Sequence, residues 1–242
     1  MGVVKDQKEA VKWFRKAAEL GDAGGQYLLG TCHLDGVGVV KDASEAAKWF
    51  RKAAEQGHAG AQTCLGIGYE NGQGVSKDGV EAVKWYRKAA EQGHADAQFN
   101  LGFCYGDGSG VAKDASEAAK WFRKAAEQGH AGAQNTLGGC YTNGSGVVKD
   151  ASEAVKWFRK AAEQGYAPAQ TSLGVYYVQG QAGVNSNAEA YKWHLLASAQ
   201  GDEAAKKNMP LMERKLTPEQ RAEGQRLAKE WQAKFEESHP AK

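Results

Sequence analysis

No stretch of this sequence is apolar over the roughly 18 residues that a membrane-spanning helix requires, so the sequence predicts no membrane span. Neither sign of charge is in excess, because 31 Lys and Arg stand against 29 Asp and Glu. This balance gives no general attraction to nucleic acid or to a membrane surface. The first ten residues, MGVVKDQKEA, lack the apolar core of a signal peptide.

The sequence does contain an internal repeat. DASEAAKWFRKAAEQG at residues 114–129 returns at 150–165 with one letter changed. Six of the seven tryptophans are separated by steps of 36 residues: Trp13, Trp49, Trp85, Trp121, Trp157 and Trp193. A period between about 20 and 50 residues is typical of solenoids and related arrays. The repetition therefore favours an extended surface over a single active site.

Each repeat is predicted to contain two helices. The first, over 59–71, has Ala61, Leu65 and Tyr69 at steps of four, and Gly72 follows as a left-handed stop. We name it and its copies the Leu-Gly helices, after Leu65-Gly66. They are followed by a turn whose glycines resemble a phosphate-binding loop only superficially, since no Lys-Ser/Thr ending follows and no strand precedes.

The second helix of each repeat begins after an aspartate. Asp78 and Glu81, three residues later, form a carboxylate version of the capping box. In the copy at 43–55 the apolar side includes Trp49 and Phe50, while Lys48 lies on the opposite, charged side. We name these copies the Trp-Phe helices.

These residues resemble the Sel1-like repeat, a relative of the tetratricopeptide repeat. Residues 22–201 contain five units that follow the pattern AxAQxxLGxxYxxGxGVxxDxxEAxxWFxKAAEQG, each with the Leu-Gly pair and four with the following aromatic. His33 takes the tyrosine place in the first unit. The resemblance implies an all-α, right-handed α/α superhelical solenoid of helix-turn-helix repeats with a C-terminal capping helix. It also implies a concave side lined by the Leu-Gly helices and an outer side made by the Trp-Phe helices.

The resemblance further implies a non-catalytic scaffold or adaptor that binds a peptide or protein segment in its concave groove. Such proteins assemble complexes and, in bacteria, take part in host contact or envelope signalling. The cysteine-rich branch of the family includes members described as binding or hydrolysing β-lactams. A serine mechanism of that kind requires S-x-x-K with S-D-N and K-T-G elements, which this sequence lacks; Ser44 and Lys48 are separated by three residues.

Comparison of the repeats with one another identifies a variable stripe on the Leu-Gly helices. Its positions are spaced i, i+4 and i+7, which is one helix face. In chain order they are Tyr27, Thr31, Leu34; Thr63, Ile67, Glu70; Phe99, Phe103, Gly106; Asn135, Gly139, Thr142; and Thr171, Val175, Val178. We predict that this stripe binds the partner, with Phe99 and Phe103 as aromatic anchors. Two alternatives stay open: a face under no constraint, and packing against neighbouring helices.

Binding of nucleic acid would use the basic positions of the Trp-Phe helices instead. Lys48, Arg51 and Lys52 recur in the copies at 7–19, 79–91, 115–127 and 151–163 and could neutralise phosphates. Glu55, one turn after Arg51, offsets much of that charge. We therefore expect a protein or peptide partner rather than nucleic acid.

Histidines and cysteines give no metal or disulfide signature. His58, His94 and His130 are equivalent residues before three Leu-Gly helices, where Asp22 and Asp202 stand elsewhere, so a helix-start role is expected. The four cysteines are predicted to be free and mostly packed, and no cofactor is expected. In the disulfide positions of the cysteine-rich branch this chain has Ala53 and Ala61. Free thiols favour the cytoplasm without excluding export.

The two ends of the chain depart from the repeat. Residues 1–21 read as the second helix of a truncated repeat, because Gly2 to Asp6 match Gly38 to Asp42, and we expect that sequence upstream has been removed. The helix from Gln7 to Leu20 should expose apolar side chains, including Val11, and invite self-association.

Residues 202–242 read as a degenerate repeat and a capping helix. Pro210 is predicted to break the first helix of this segment. A new start is predicted at Thr217, followed by Pro218 and Gln220, and the helix it opens should cover the last repeat.

Overall fold

The computed structural model describes residues 6–181 and 186–240. Over these residues the chain forms thirteen α-helices and no strand, an all-α repeat fold, as the sequence predicts. The helices are α1 Gln7–Glu19, α2 Ala23–Asp35, α3 Ala43–Glu55, α4 Ala59–Asn71, α5 Gly79–Glu91, α6 Ala95–Asp107, α7 Ala115–Glu127, α8 Ala131–Asn143, α9 Ala151–Glu163, α10 Ala167–Gln179, α11 Asn187–Ala199, α12 Glu203–Lys215 and α13 Pro218–Ser238. None of the described helices is both long and apolar enough to cross a bilayer.

The helices belong to two compact units, Met1–Ala125 and Ala126–Lys242. In the first unit each helix from α1 to α5 packs on the next one along the chain. In the second unit α8, α9, α10 and α11 pack in the same sequential way, and both α12 and α13 pack on α11.

Turn chemistry sets the helix ends. The Leu-Gly helix α4 spans Ala59–Asn71, the range predicted from sequence, and Gly72 ends it with a φ of 72°. Only glycine adopts this left-handed conformation without strain. At the next helix, the Asp78 carboxylate accepts hydrogen bonds from the backbone N–H of Val80 (3.0 Å) and Glu81 (3.1 Å), so the predicted aspartate cap is confirmed.

The predicted reciprocal half of this capping box is wrong. The Asp78 backbone N–H donates to the Tyr69 carbonyl oxygen of the preceding helix at 2.9 Å, which leaves no need for the Glu81 side chain there. The Glu81 carboxylate pairs instead with Lys84. The repeat thus uses that N–H to tie its two helices together.

The Leu-Gly pair serves close packing of the two helices. Leu65 is buried, and a Cβ atom added to Gly66 would lie only 2.6 Å from the Tyr86 ring. Any larger residue would push α4 and α5 apart, because side chains in a packed interior have no room to retreat. This contact explains why glycine follows leucine in each of these helices.

A glutamine ladder joins successive repeats within each unit. The buried Gln62 side chain donates to the Ala54 carbonyl oxygen at 3.0 Å, and its own oxygen accepts from the Gln92 side chain at 2.7 Å. In the second unit Gln134 and Gln170 have the same kinds of partner. Buried amides are stable only when bonded in this way.

The prediction that α1 exposes Val11 is wrong. Val11 is buried in a cluster with Leu29 and Trp49, because α2 covers that side of α1. The exposed apolar residues of this region are Leu20 and Trp13, and 59% of the Trp13 surface is exposed.

The prediction for Pro210 is also wrong, since α12 continues through it. Proline removes one N–H donor from the helix, but α12 is held from outside: Met212 packs in a cluster with Tyr191 of α11, and the Tyr191 hydroxyl donates to Glu213 at 3.1 Å. The predicted start at Thr217 is confirmed, with a full capping box to Gln220.

Candidate partner-binding face

The first position of the variable stripe faces the next repeat. The Thr63 hydroxyl lies 3.2 Å from Nδ1 of His94, and the Tyr27 ring stacks on His58 with a centroid distance of 4.6 Å. Both partners sit directly before the next Leu-Gly helix. Variation at this position is therefore matched to the residue that begins the following helix.

The second unit shows the same arrangement with different chemistry. The Thr171 hydroxyl donates to the Asp202 carboxylate at 2.9 Å, and that carboxylate also caps α12 by accepting from the Ala205 backbone N–H at 2.8 Å. One repeat before Thr171, the Asn135 side-chain oxygen is buried without a hydrogen-bond partner. The sequence left open whether the stripe is unconstrained or packs against neighbouring helices. At the first position, packing against the start of the next helix explains much of the variation.

The second position of the stripe is more open to solvent. Ile67 is 36% exposed and Phe103 is 40% exposed, while Thr31, Gly139 and Val175 are partly exposed. At the third position Val178 is 45% exposed, and Leu34, Glu70, Gly106 and Thr142 are partly buried. Exposed apolar side chains at repeated positions of one helix type are candidates for contact with a partner.

Two polar residues of the third position are engaged by neighbouring helices. Glu70 accepts a hydrogen bond from the Tyr86 hydroxyl at 2.5 Å, and the Thr142 hydroxyl lies 2.6 Å from that of Tyr176. Burial and the nearby Glu70 carboxylate raise the pKa of Tyr86, so its hydroxyl stays a donor at neutral pH. These two side chains hold neighbouring helices together, and their hydrogen bonds leave them less available to a partner.

The predicted aromatic anchors meet in one cluster. The Phe99 and Phe103 rings lie edge to face, with centroids 4.7 Å apart, and Phe103 lies 5.1 Å from Phe122 of the Trp-Phe helix α7. Aromatic pairs in this geometry stabilise one another by roughly 0.5–1.5 kcal/mol beyond the area they bury. Phe103 is thus held in place from below while a large part of its ring stays in solvent.

Sequence comparison missed a sixth set of stripe residues. Lys207, Leu211 and Arg214 in α12 stand 36 residues after Thr171, Val175 and Val178. The loss of the Leu-Gly pair in this segment hid the equivalence, although the step of 36 would have revealed it. All three residues are exposed.

The Trp-Phe helices present a balanced charge pattern. Lys48 pairs with Glu45 at 2.9 Å and Lys120 pairs with Glu117 at 2.6 Å. Lys52 lies over the Trp49 ring, 4.1 Å from its centroid. The acidic partner of Lys48 and of Lys120 is thus the glutamate three residues earlier in the same helix.

Histidines act at helix starts, as predicted, with one difference. Nδ1 of His58 accepts from the Ala61 backbone N–H at 3.1 Å, and His130 bonds Ala133 likewise at 3.0 Å. His94 makes no such cap and faces Thr63 instead. Over residues 6–181 and 186–240, no three His, Cys, Asp or Glu side chains gather closely enough to hold a metal ion.

All four cysteines are free: Cys32, Cys64, Cys104 and Cys140. Burial raises the pKa of Cys64 and of Cys104 to about 11. Because the thiolate is the reactive form, these thiols are poor nucleophiles and metal ligands at neutral pH.

Comparisons with known proteins agree with this geometry. The Sel1 repeat family matches residues 1–22, 23–58, 59–94, 95–130, 131–166 and 167–202. A Sel1 repeat protein from Oxalobacter formigenes is 37% identical, with a TM-score of 0.75, over 84% of this chain and 86% of that one. A comparison with curated proteins gave no significant match.

A second solved structure is c5321, a protective antigen present in uropathogenic Escherichia coli strains and displaying an SLR fold. It is 33% identical, with a TM-score of 0.61, over all of this chain and 61% of that protein. This chain therefore spans less than two thirds of the length of c5321. On the family match and these two similarities, the chain belongs to the Sel1 repeat family.

Proposed function

We propose that this chain is a non-catalytic scaffold that holds a peptide or protein segment against its Leu-Gly helices. Sel1 repeats are a fold commonly used for protein–protein interaction, and the family is generally non-catalytic. The family resemblance assigns the Leu-Gly helices to the concave groove. The second stripe position supplies the contact residues.

The observation that carries this proposal is the position of Phe103. A ring that is packed against Phe99 and Phe122 yet 40% exposed offers a partner a large apolar surface that is already ordered. Little side-chain entropy is lost when such a residue is covered, and ordered aromatic residues are frequent hot spots of interfaces.

The test begins with affinity capture of the partner and its identification by mass spectrometry. Binding of the purified partner is then measured for Phe99→Ala with Phe103→Ala. We expect a loss of about two to three powers of ten, since about 1.4 kcal/mol is tenfold. Circular dichroism should show that the double variant keeps its helices.

The matched control reverses the charge of Lys48 and Lys120 on the Trp-Phe helices, which should leave affinity nearly unchanged. If this control abolishes binding while the phenylalanine variant binds normally, the Trp-Phe face binds the partner. The proposal would then be replaced by electrostatic binding.

A second candidate interaction is self-association through α1, favoured by the exposure of Trp13. Its copies Trp49 and Trp85 are buried, so Trp13 presents surface that the repeat elsewhere covers. We expect sedimentation to show a concentration-dependent dimer that Trp13→Ser weakens. A monomer at high concentration in both proteins would contradict this.

A further inference from the structure

An open pocket of about 200 Å³ lies between α10 and α12, with α11 at its base. Its walls include Val175 and Val178 of the variable stripe and Leu211 of α12. An engineered protein cavity of about 150 Å³ accepts benzene. The pocket therefore has room for one aliphatic side chain.

The walls of this pocket are apolar and open to solvent. Val178 of α10 is 45% exposed and Leu211 of α12 is 56% exposed, and both line the pocket. An insert that covers both would remove their apolar surface from water, which is favourable in proportion to the area covered.

The base of the pocket is polar but uncharged. His194 occupies the place of the aromatic residue Phe158 one repeat earlier, and its Nδ1 lies 2.9 Å from the Ala190 carbonyl oxygen. Because a carbonyl oxygen only accepts, Nδ1 carries the proton, and Nε2 accepts from the Asn208 amide at 3.3 Å. Both ring nitrogens are thus satisfied in the neutral form, and burial lowers the pKa of His194.

The rim of the pocket is basic. Lys215 lines the opening, and Lys207 and Arg214 lie four residues before and three residues after Leu211, on the same face of α12. In the described part of the chain none of these three cations has an ion-pair partner.

The carboxylates of this region are already engaged by other groups. Asp202 accepts from Thr171, Glu203 pairs with Lys206, and Glu213 accepts from Tyr191. A hydrogen bond from a neutral hydroxyl leaves the Asp202 and Glu213 carboxylates charged, so the region also contains negative charge. The three cations of the rim nevertheless have no ion-pair partner among the described residues, and they lie beside an apolar opening.

From this arrangement we propose that the pocket binds an acidic peptide segment. An aliphatic side chain of the peptide enters between Val178 and Leu211, and the carboxylates that follow it meet Lys207, Arg214 and Lys215. This inference rests on the proposed function, because it assigns one part of the partner-binding face its ligand chemistry.

The test uses labelled synthetic peptides and the full chain, with binding measured by fluorescence anisotropy. One peptide contains leucine followed by three aspartates in a Gly-Ser background; the controls replace the leucine by serine or the aspartates by lysine. We expect the leucine–aspartate peptide to bind about tenfold or more tightly than either control, a difference near 1.4 kcal/mol. Its affinity should fall as salt is added.

Two variants locate the site. Lys207→Glu with Lys215→Glu should weaken the leucine–aspartate peptide by about tenfold or more, a difference near 1.4 kcal/mol, as should Leu211→Ser. Lys48→Glu with Lys84→Glu, the same charge change on the Trp-Phe helices, should leave it unchanged. Circular dichroism checks that each variant keeps its helices.

Three outcomes would overturn the inference. The first is equal affinity for all peptides, or binding of none. The second is tighter binding of a single-stranded oligonucleotide than of the leucine–aspartate peptide. The third is loss of peptide binding in the Phe99 and Phe103 variant alone; the partner-binding face would then stand while the pocket assignment failed.

Discussion

The two helices of each repeat differ in what their repetition preserves. The Trp-Phe helix is nearly the same in α1, α3, α5, α7 and α9, whereas α11 has His194 in the phenylalanine place. In α5, Trp85 and Tyr86 are buried while Lys84 pairs with Glu81. The Leu-Gly helix keeps Leu65 and Gly66 but varies along one face. The difference teaches that the buried repeated residues hold the fold, whereas residues that vary along the Leu-Gly helix either match the next helix start or face solvent.

Truncation in the repeated core should have the largest effect. Leu65→Ala removes a buried side chain packed among Phe50, Ala61 and Trp85, and we expect a loss of about 2–5 kcal/mol in the free energy of unfolding. Ile67→Ala, two residues away on the exposed face, should lose less than about 1 kcal/mol. Chemical denaturation measures both. Equal losses would break the distinction between repeated and variable residues.

The glutamine ladder should come next. Gln62→Ala removes two hydrogen bonds, although the Ala54 carbonyl oxygen keeps the Gly57 N–H and the Gln92 amide keeps the Lys88 carbonyl oxygen. At about 0.5–1.5 kcal/mol for each lost bond, we expect a cost of about 1–3 kcal/mol. Gln73→Ala, at an exposed loop position, is the control in the same denaturation experiment. A Gln62 variant as stable as this control would mean that water replaces the ladder.

Importing one pair from another repeat should stabilise the chain slightly. Asn135 and Tyr166 stand 36 residues before Thr171 and Asp202, and Tyr166 gives α10 no side-chain cap. The double variant Asn135→Thr with Tyr166→Asp recreates the Thr–Asp pair at the start of α10, and we expect a gain of about 1 kcal/mol in the free energy of unfolding. The reference is Tyr166→Ala. No gain over this reference would show that the first stripe position is not matched to the following helix start.

The smallest effect concerns acid stability at the start of a Trp-Phe helix. The backbone N–H groups of Glu45 and Ser44 lower the pKa of the Asp42 carboxyl below its ordinary value of 3.8. A lowered pKa stabilises the fold above the unfolded-state value, and this contribution is lost as pH falls through the folded-state value. Asp42→Asn, which keeps a capping side chain, should therefore flatten the melting temperature against pH below about pH 4. A curve parallel to that of the parent protein would contradict this origin.

Much of the repeat could be read from sequence because its signals are local. The bounds of α4, the left-handed Gly72 and the Thr217 capping box each depend on a few neighbouring residues, and the structure confirms them. The errors have non-local causes. Val11 is covered by another helix, and α12 survives Pro210 because α11 holds it.

For the binding stripe, the sequence predicted the helix face but not the surroundings of each position, for a similar reason. Spacing placed its positions on one helix face, but it could not show that Thr63 faces the start of the next helix while Ile67 faces solvent. That difference depends on where the following repeat packs. The role of the stripe in binding stays a prediction.

The central claim is that variable, exposed residues bind while repeated residues hold the fold. Phe103→Thr tests it most directly, because threonine is what the first repeat carries at this position, as Thr31. Affinity for the captured partner and the melting temperature are measured on the same samples. The account predicts a loss of affinity of about thirtyfold, near 2 kcal/mol, with a melting temperature within a few degrees of the parent protein. Unchanged affinity together with a large drop in melting temperature would contradict it, since Phe103 would then serve only the fold.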